Sequence, residues 1–158
     1  MLLKSYRFIA AALLFAASSL LPAQARPNFS GAWTLNASKS DFGAMPKPAN
    51  RTDKITHVGV AITDSFTQSS PKGDVTAIMK YLTDGKETVS DLHGNQVRYT
   101  AKWEGDELVI EGKTQLNGAG VTLTDRWSLS PDKKTLTIQR HVNSPMGETE
   151  QRIVLDKQ

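Results

Sequence analysis

The sequence predicts an all-β protein, a single antiparallel up-and-down barrel or strongly curved sheet of about 8–10 strands. Three observations carry this. Apolar and polar residues alternate with period two over most of the chain beyond residue 25. Gly, Asp, Asn and Pro punctuate that alternation every 8 to 12 residues or so, the spacing of short strands joined by turns. No stretch beyond residue 25 shows a sustained helical apolar period.

The N-terminus follows a different rule. Lys4 and Arg7 precede an apolar run from Phe8 to Leu21, and Pro22-Ala23-Gln24-Ala25 places small residues three before and one before a cut after Ala25. A basic end, an apolar middle and a small-residue site make a cleavable secretory signal. A membrane anchor fits less well, because the run is about 14 residues and a spanning helix needs about 20. The expected organisation is a signal at 1–25 and one domain at 26–158, exported to the periplasm or medium and without an anchor after cleavage. The chain has no cysteine, which excludes a disulfide framework, a thiol nucleophile and thiolate metal sites. Without Lys4 and Arg7, 17 basic residues face 16 acidic ones, interspersed in sign. That balance gives no nucleic-acid footprint and no polybasic membrane patch.

Strands are predicted, in order, at about 29–36, 52–58, 60–68, 74–82, 86–91, 95–104, 107–116, 121–130, 135–143 and 148–156. Residues 37–50 break the rhythm and read as a long loop, with a short helical turn near Ser38–Phe42. Asp84-Gly85 carries the signal of a two-residue type I′ hairpin, and Gly105-Asp106 that of a type II′ turn. The second turn sets Trp103 opposite Leu108 and Ala101 opposite Ile110. Pro131–Lys134 forms a four-residue loop. The buried faces follow: Phe29, Gly31, Trp33 and Leu35; Val75, Ala77, Met79 and Tyr81; Val97, Tyr99, Ala101 and Trp103; Leu108, Ile110 and Gly112. Beyond them come Val121, Leu123, Trp127 and Leu129; Leu136, Ile138 and Val142; Ile153 and Leu155.

Two charges break the inward parity together. Asp125 lies between Leu123 and Trp127, and Arg140 between Ile138 and Val142. The register of the Pro131–Lys134 loop sets Leu129 against Leu136, Trp127 against Ile138, and Asp125 against Arg140. Because an unpaired buried charge is costly, the two are predicted to pair inside the barrel. The pair is either a structural element that fixes register or a polar anchor for the acidic group of a ligand. In the second case the ligand-binding residues are Arg140, Asp125, Tyr99, Tyr81, Met79, Trp127 and Ile138. His57 and Asp64 share inward parities but are expected near a barrel mouth, in contact with solvent. His57, His93 and His141 have no metal-ligand spacing, so neither a metal nor any other cofactor is expected. No nucleophile elbow, phosphate loop or dinucleotide fingerprint is present, and no catalytic residue is assigned.

Phe29-Ser30-Gly31-Ala32-Trp33 resembles the Gly-x-Trp opening of the lipocalin (calycin) family. The resemblance implies that Gly31 and Trp33 close one end of the barrel and that an arginine near the last strands, Arg140 or Arg152, packs across the tryptophan. The family's Thr-Asp-Tyr motif has a loose echo in Thr124-Asp125-Arg126, with Arg in place of Tyr. A strand count near ten suits the fatty-acid-binding type of this superfamily. The opening from Phe29 to Gly43 is also similar to that of bacterial exported proteins. Two functions follow as expectations: an exported module binding a small, partly apolar, possibly acidic ligand, or a filled barrel contacting protein partners through the 37–50 loop. Oligomeric state is left open.

Overall fold

The computed structural model describes residues 25–158 other than 71, 72 and 93. The export signal at 1–25 therefore lies, apart from Ala25, outside the described residues. The rest forms ten strands: β1 (Gly31–Leu35), β2 (Asn50–Val58), β3 (Ala61–Ser70), β4 (Gly73–Leu82), β5 (Thr88–Leu92), β6 (Asn95–Glu104), β7 (Glu107–Leu116), β8 (Ala119–Leu129), β9 (Thr135–Ser144) and β10 (Gly147–Lys157). They make one antiparallel sheet in the order β4-β3-β2-β1-β10-β9-β8-β7-β6-β5, curled into a nearly closed barrel. No helix occurs among the described residues.

The turn chemistry explains most of the pairing. Gly105 supplies the positive φ (62°) that a type II′ turn needs at its first central residue, and Trp103↔Leu108 and Ala101↔Ile110 follow as registered. The 131–134 loop gives Leu129↔Leu136, Trp127↔Ile138 and Asp125↔Arg140. Asp84-Gly85 does not make the expected hairpin. The positive φ (85°) falls on Gly85 alone, whereas a type I′ turn needs it at both central residues. Thr83 is instead drawn to the β2–β3 turn by a 2.8 Å bond from its N–H to the Val60 carbonyl. Gly85 N–H bonds the Ala101 carbonyl at 3.0 Å. β4 and β5 consequently share no ladder. Two hydroxyls bridge their seam: Ser90 Oγ accepts the Lys80 N–H at 3.1 Å, and Thr88 Oγ1 donates to the Lys80 carbonyl.

The 36–49 segment is a loop, as read, but holds no helical turn. Asn36 Oδ1 accepts from Ser38 Oγ and from the Lys39 N–H, which also bonds the Asn36 carbonyl at 3.3 Å and closes a turn. The segment then runs along β10, where Asp41 bridges Arg152, and tucks Phe42 and Pro48 against the barrel.

One end of the barrel is packed solid. Phe29 stacks on Trp103 (5.8 Å, 7°) and meets the edge of Trp127 (5.5 Å, 89°). Trp33, Leu108, Leu136, Ile138, Ile153 and Leu155 complete this floor, all essentially inaccessible. Each such side chain contributes about 1.5–3 kcal/mol through burial. Trp33 is buried in this floor, with its Nε1–H donating to the Phe29 carbonyl at 3.0 Å. Its cationic cover is neither Arg140 nor Arg152. Lys157 sits over the ring at 5.3 Å, because β10 pairs Lys157 with Trp33 directly. Arg152 is exposed and donates to the Lys39 carbonyl, and Arg140 is engaged inside the barrel.

Candidate functional site: a polar cavity in the barrel

Above the packed floor the barrel is hollow. A cavity of about 250 Å³ lies among β2, β3, β4, β5, β6, β8 and β9. Its walls are Met79, Tyr81, Tyr99, Trp127, Phe66 and Leu123, and its polar groups are Arg51, Asp64 and Arg140. It opens at the end carrying the β3–β4, β5–β6 and β7–β8 turns, where Gln68, Val75 and Leu92 are partly accessible. A larger hollow of about 570 Å³ lies outside, against Arg98, Lys113 and Thr122. It is a shallow outer groove with no buried charged group, so the interior cavity is the chemically distinctive one.

Two ion pairs furnish the interior. On β8 and β9, Arg140 grips Asp125 with both arms: Nε to Oδ1 and Nη2 to Oδ2, each 2.7 Å. Asp125 is 1 % exposed and sits behind the guanidinium. On β2, residues two apart share a face, and Arg51 grips Asp53 in the same manner, at 2.9 Å through Nε and 2.6 Å through Nη2. The Arg51 guanidinium also lies 4.9 Å over the Phe66 ring, the cross-strand partner of Asp53. Burial pulls the pKa of both arginines down, but the adjacent carboxylates more than offset it and raise both.

Asp64 on β3 is the odd group. Burial, then the negative charge of Asp53, pushes its pKa up to about 8 against the opposing pull of Arg51. It is therefore largely protonated at neutral pH. Its Oδ1 is buried without a hydrogen-bond partner, and so is Trp127 Nε1. Burial also raises the phenol pKa of Tyr81, and that of Tyr99 to about 12, so both hydroxyls stay protonated and able to donate. Tyr81 meets Tyr99 edge-on at 5.2 Å and Trp127 edge-on at 5.7 Å.

Of the residues singled out from sequence, Arg140, Tyr99, Tyr81, Met79 and Trp127 line the cavity. Asp125 reaches it only through Arg140, and Ile138 belongs to the packed floor. Asp64 and His57 are not solvated at a mouth; they are 2 % and 8 % exposed. His57 lies at the closed end, beside both Phe29 and Trp103, and accepts the Phe29 N–H on Nδ1 at 3.4 Å. Burial lowers its pKa, so it is neutral at pH 7. His141 is outside, 2.6 Å from Glu150, and His93 lies outside the described residues. No group of three metal-ligating side chains assembles among the described residues. Arg51 and Asp53 escaped the sequence reading, although both share the parity of Ile55.

No protein-family model matches the chain, and no curated protein sequence does. Its fold does match solved structures. An abundant heat soluble (SAHS) protein of Ramazzottius varieornatus superposes with a TM-score of 0.63 at 14 % identity, over 82 % of this chain and 94 % of that one. Zebrafish ileal bile acid-binding protein, crystallised with cholic acid, gives 0.58 at 15 % identity over 82 % and 98 %. Human cRBP IV gives 0.51 at 17 % identity over 81 % and 98 %. The architecture is that of a calycin-like β-barrel. At these identities the likeness establishes the fold, and the site must speak through its own residues.

Proposed function

We propose that the domain is an exported carrier or sensor that holds a small, partly apolar molecule inside its barrel. One observation carries this reading: above the packed floor lies a cavity with aromatic walls, and two of its lining residues, Asp64 and Trp127, each hold a buried polar atom without a hydrogen-bond partner. A buried polar atom without a partner costs free energy, and a bound molecule that satisfies it recovers that cost. A filled barrel acting only through its loops would gain nothing from such a hollow. The likeness to a protein crystallised with cholic acid supports the same reading without naming a ligand. The secretory pattern at 1–25 supports export.

Native mass spectrometry of the protein produced with its own leader tests both parts. The expected result is a chain beginning at Arg26, carrying a small-molecule adduct that is lost on unfolding. A chain retaining residues 1–25 in the cytoplasm would overturn export. Absence of an adduct, together with no saturable shift of the Trp127 indole signal across a panel of small aromatic compounds, would overturn the binding reading.

A further inference from the structure

We infer that the molecule held in this cavity carries a positively charged amine, and that Asp64 is its counter-ion. The inference rests on the binding reading above and deepens it by naming the chemical class.

The first argument is charge balance. Each guanidinium in the barrel already has its own carboxylate, Arg51 with Asp53 and Arg140 with Asp125, through two nitrogens apiece. An anionic ligand would find no unclaimed cation and would add an uncompensated charge in a buried space. Asp64 is the remaining acid, with no cation of its own. When an ammonium enters and Asp64 gives up its proton to solvent, the interior stays neutral.

The second argument is hydrogen bonding. Asp64 is 2 % exposed, lines the cavity, and its Oδ1 meets no donor. An ammonium brings only donors, which suits an orphaned carboxylate oxygen.

The third argument is the wall. Tyr81 stands nearly perpendicular to both Tyr99 and Trp127, at 85° and 80°. Aromatic faces attract cations, and this barrel already seats one, Arg51 on Phe66.

The titration that follows involves every group around Asp64. Asp53 and Arg51 face it from β2, Tyr81 from β4 and Arg140 from β9, with Tyr99 on β6 and Asp125 on β8 completing the cavity's charges. Asp64 changes protonation near neutrality, at about 8.

Calorimetry of the purified protein with three matched probes tests the inference: 2-phenylethylammonium, 3-phenylpropionate and 2-phenylethanol, in two buffers of different ionisation heat between pH 6 and 9. The cation is expected to bind about tenfold or more tighter than the anion at pH 7.5 and to release about three-quarters of a proton per molecule bound. Its affinity should rise roughly tenfold per pH unit below about 8 and then level off. Asp64→Asn should abolish that slope and the cation's advantage over the anion. Tighter binding of the anion, a flat pH profile for the cation in the unaltered protein, or an undiminished cation preference in Asp64→Asn would each overturn the inference and leave the cavity a binding site. Failure of all three probes to bind at millimolar concentration would overturn the binding reading and this inference together. The pH profile of the unaltered protein keeps the test independent of whether the variant folds.

Discussion

Arg140 and Asp125 face each other across the β8–β9 ladder and are joined by two parallel hydrogen bonds, with the carboxylate buried and the guanidinium partly open to the cavity. The asymmetry in burial has an energetic consequence. Removing the arginine strands a carboxylate that is 1 % exposed; removing the aspartate strands a guanidinium whose side chain is 27 % exposed. Arg140→Ala should therefore cost about 3–5 kcal/mol, the range for breaking a buried pair from one side, and Asp125→Ala distinctly less. The double change Asp125→Leu with Arg140→Met should recover most of the loss. Urea denaturation of the four proteins checks this, and equal losses for the two alanine variants would contradict the burial argument.

Asp64 makes stability fall as pH rises. Its folded pKa, about 8, lies above the ordinary aspartate value of 3.8, so the folded state holds the proton more tightly than the unfolded one. Its contribution is greatest below the unfolded value, declines as pH rises towards about 8, and is flat beyond it. Asp64→Asn cannot ionise and should show no such decline. The stability of the native protein relative to Asp64→Asn should drop from pH 5 to pH 8. A difference independent of pH would mean that Asp64 is ionised throughout.

The fold was legible because one wet face and one dry face leave a period-two record in each strand, and because turns such as Gly105-Asp106 set register without help from distant parts. The Asp125–Arg140 pair was legible for the same reason: both residues violate parity, and one loop fixes their pairing. Arg51 and Asp53 were not, because Arg51 lies at the start of β2, where strand ends are hardest to place, and the pairing runs along one strand rather than across a turn. Asp64 was seen on the inward face, but its burial depends on how deep in the barrel β3 places it. The β4–β5 seam was hidden because Asp84-Gly85 has the composition of a tight hairpin, while contacts of Thr83 and Gly85 with other strands decide its path.

Two buried indoles differ in what their N–H groups do. Trp33 Nε1 donates to the Phe29 carbonyl at 3.0 Å, whereas Trp127 Nε1 has no partner. Replacing either by Phe removes similar volume, but only Trp33→Phe leaves a buried carbonyl unsatisfied. Trp33→Phe should cost about 1–3 kcal/mol more than Trp127→Phe. Denaturation midpoints of the two variants decide the matter. The reverse order would show that Trp127 has an acceptor, such as ordered water.

Gly112 on β7 is buried between its cross-strand neighbours Tyr99 and Leu123. A Cβ there would sit 2.7 Å from Tyr99 Cε1 and 2.8 Å from Leu123 Cγ. Glycine in a strand interior ordinarily costs about 0.5–1 kcal/mol relative to alanine, so Gly112→Ala would stabilise the strand if space allowed. Here the added methyl must push the Tyr99 ring off Gly112 and out of its edge-on contact with Tyr81. The expected outcome reverses the usual sign: Gly112→Ala destabilises by about 1–3 kcal/mol, the range for overpacking. Because Tyr99 lines the cavity, the same change should weaken binding of a neutral probe such as 2-phenylethanol. A variant that gains stability and binds unchanged would show that Tyr99 does not rest on Gly112, and would remove that ring from the cavity wall.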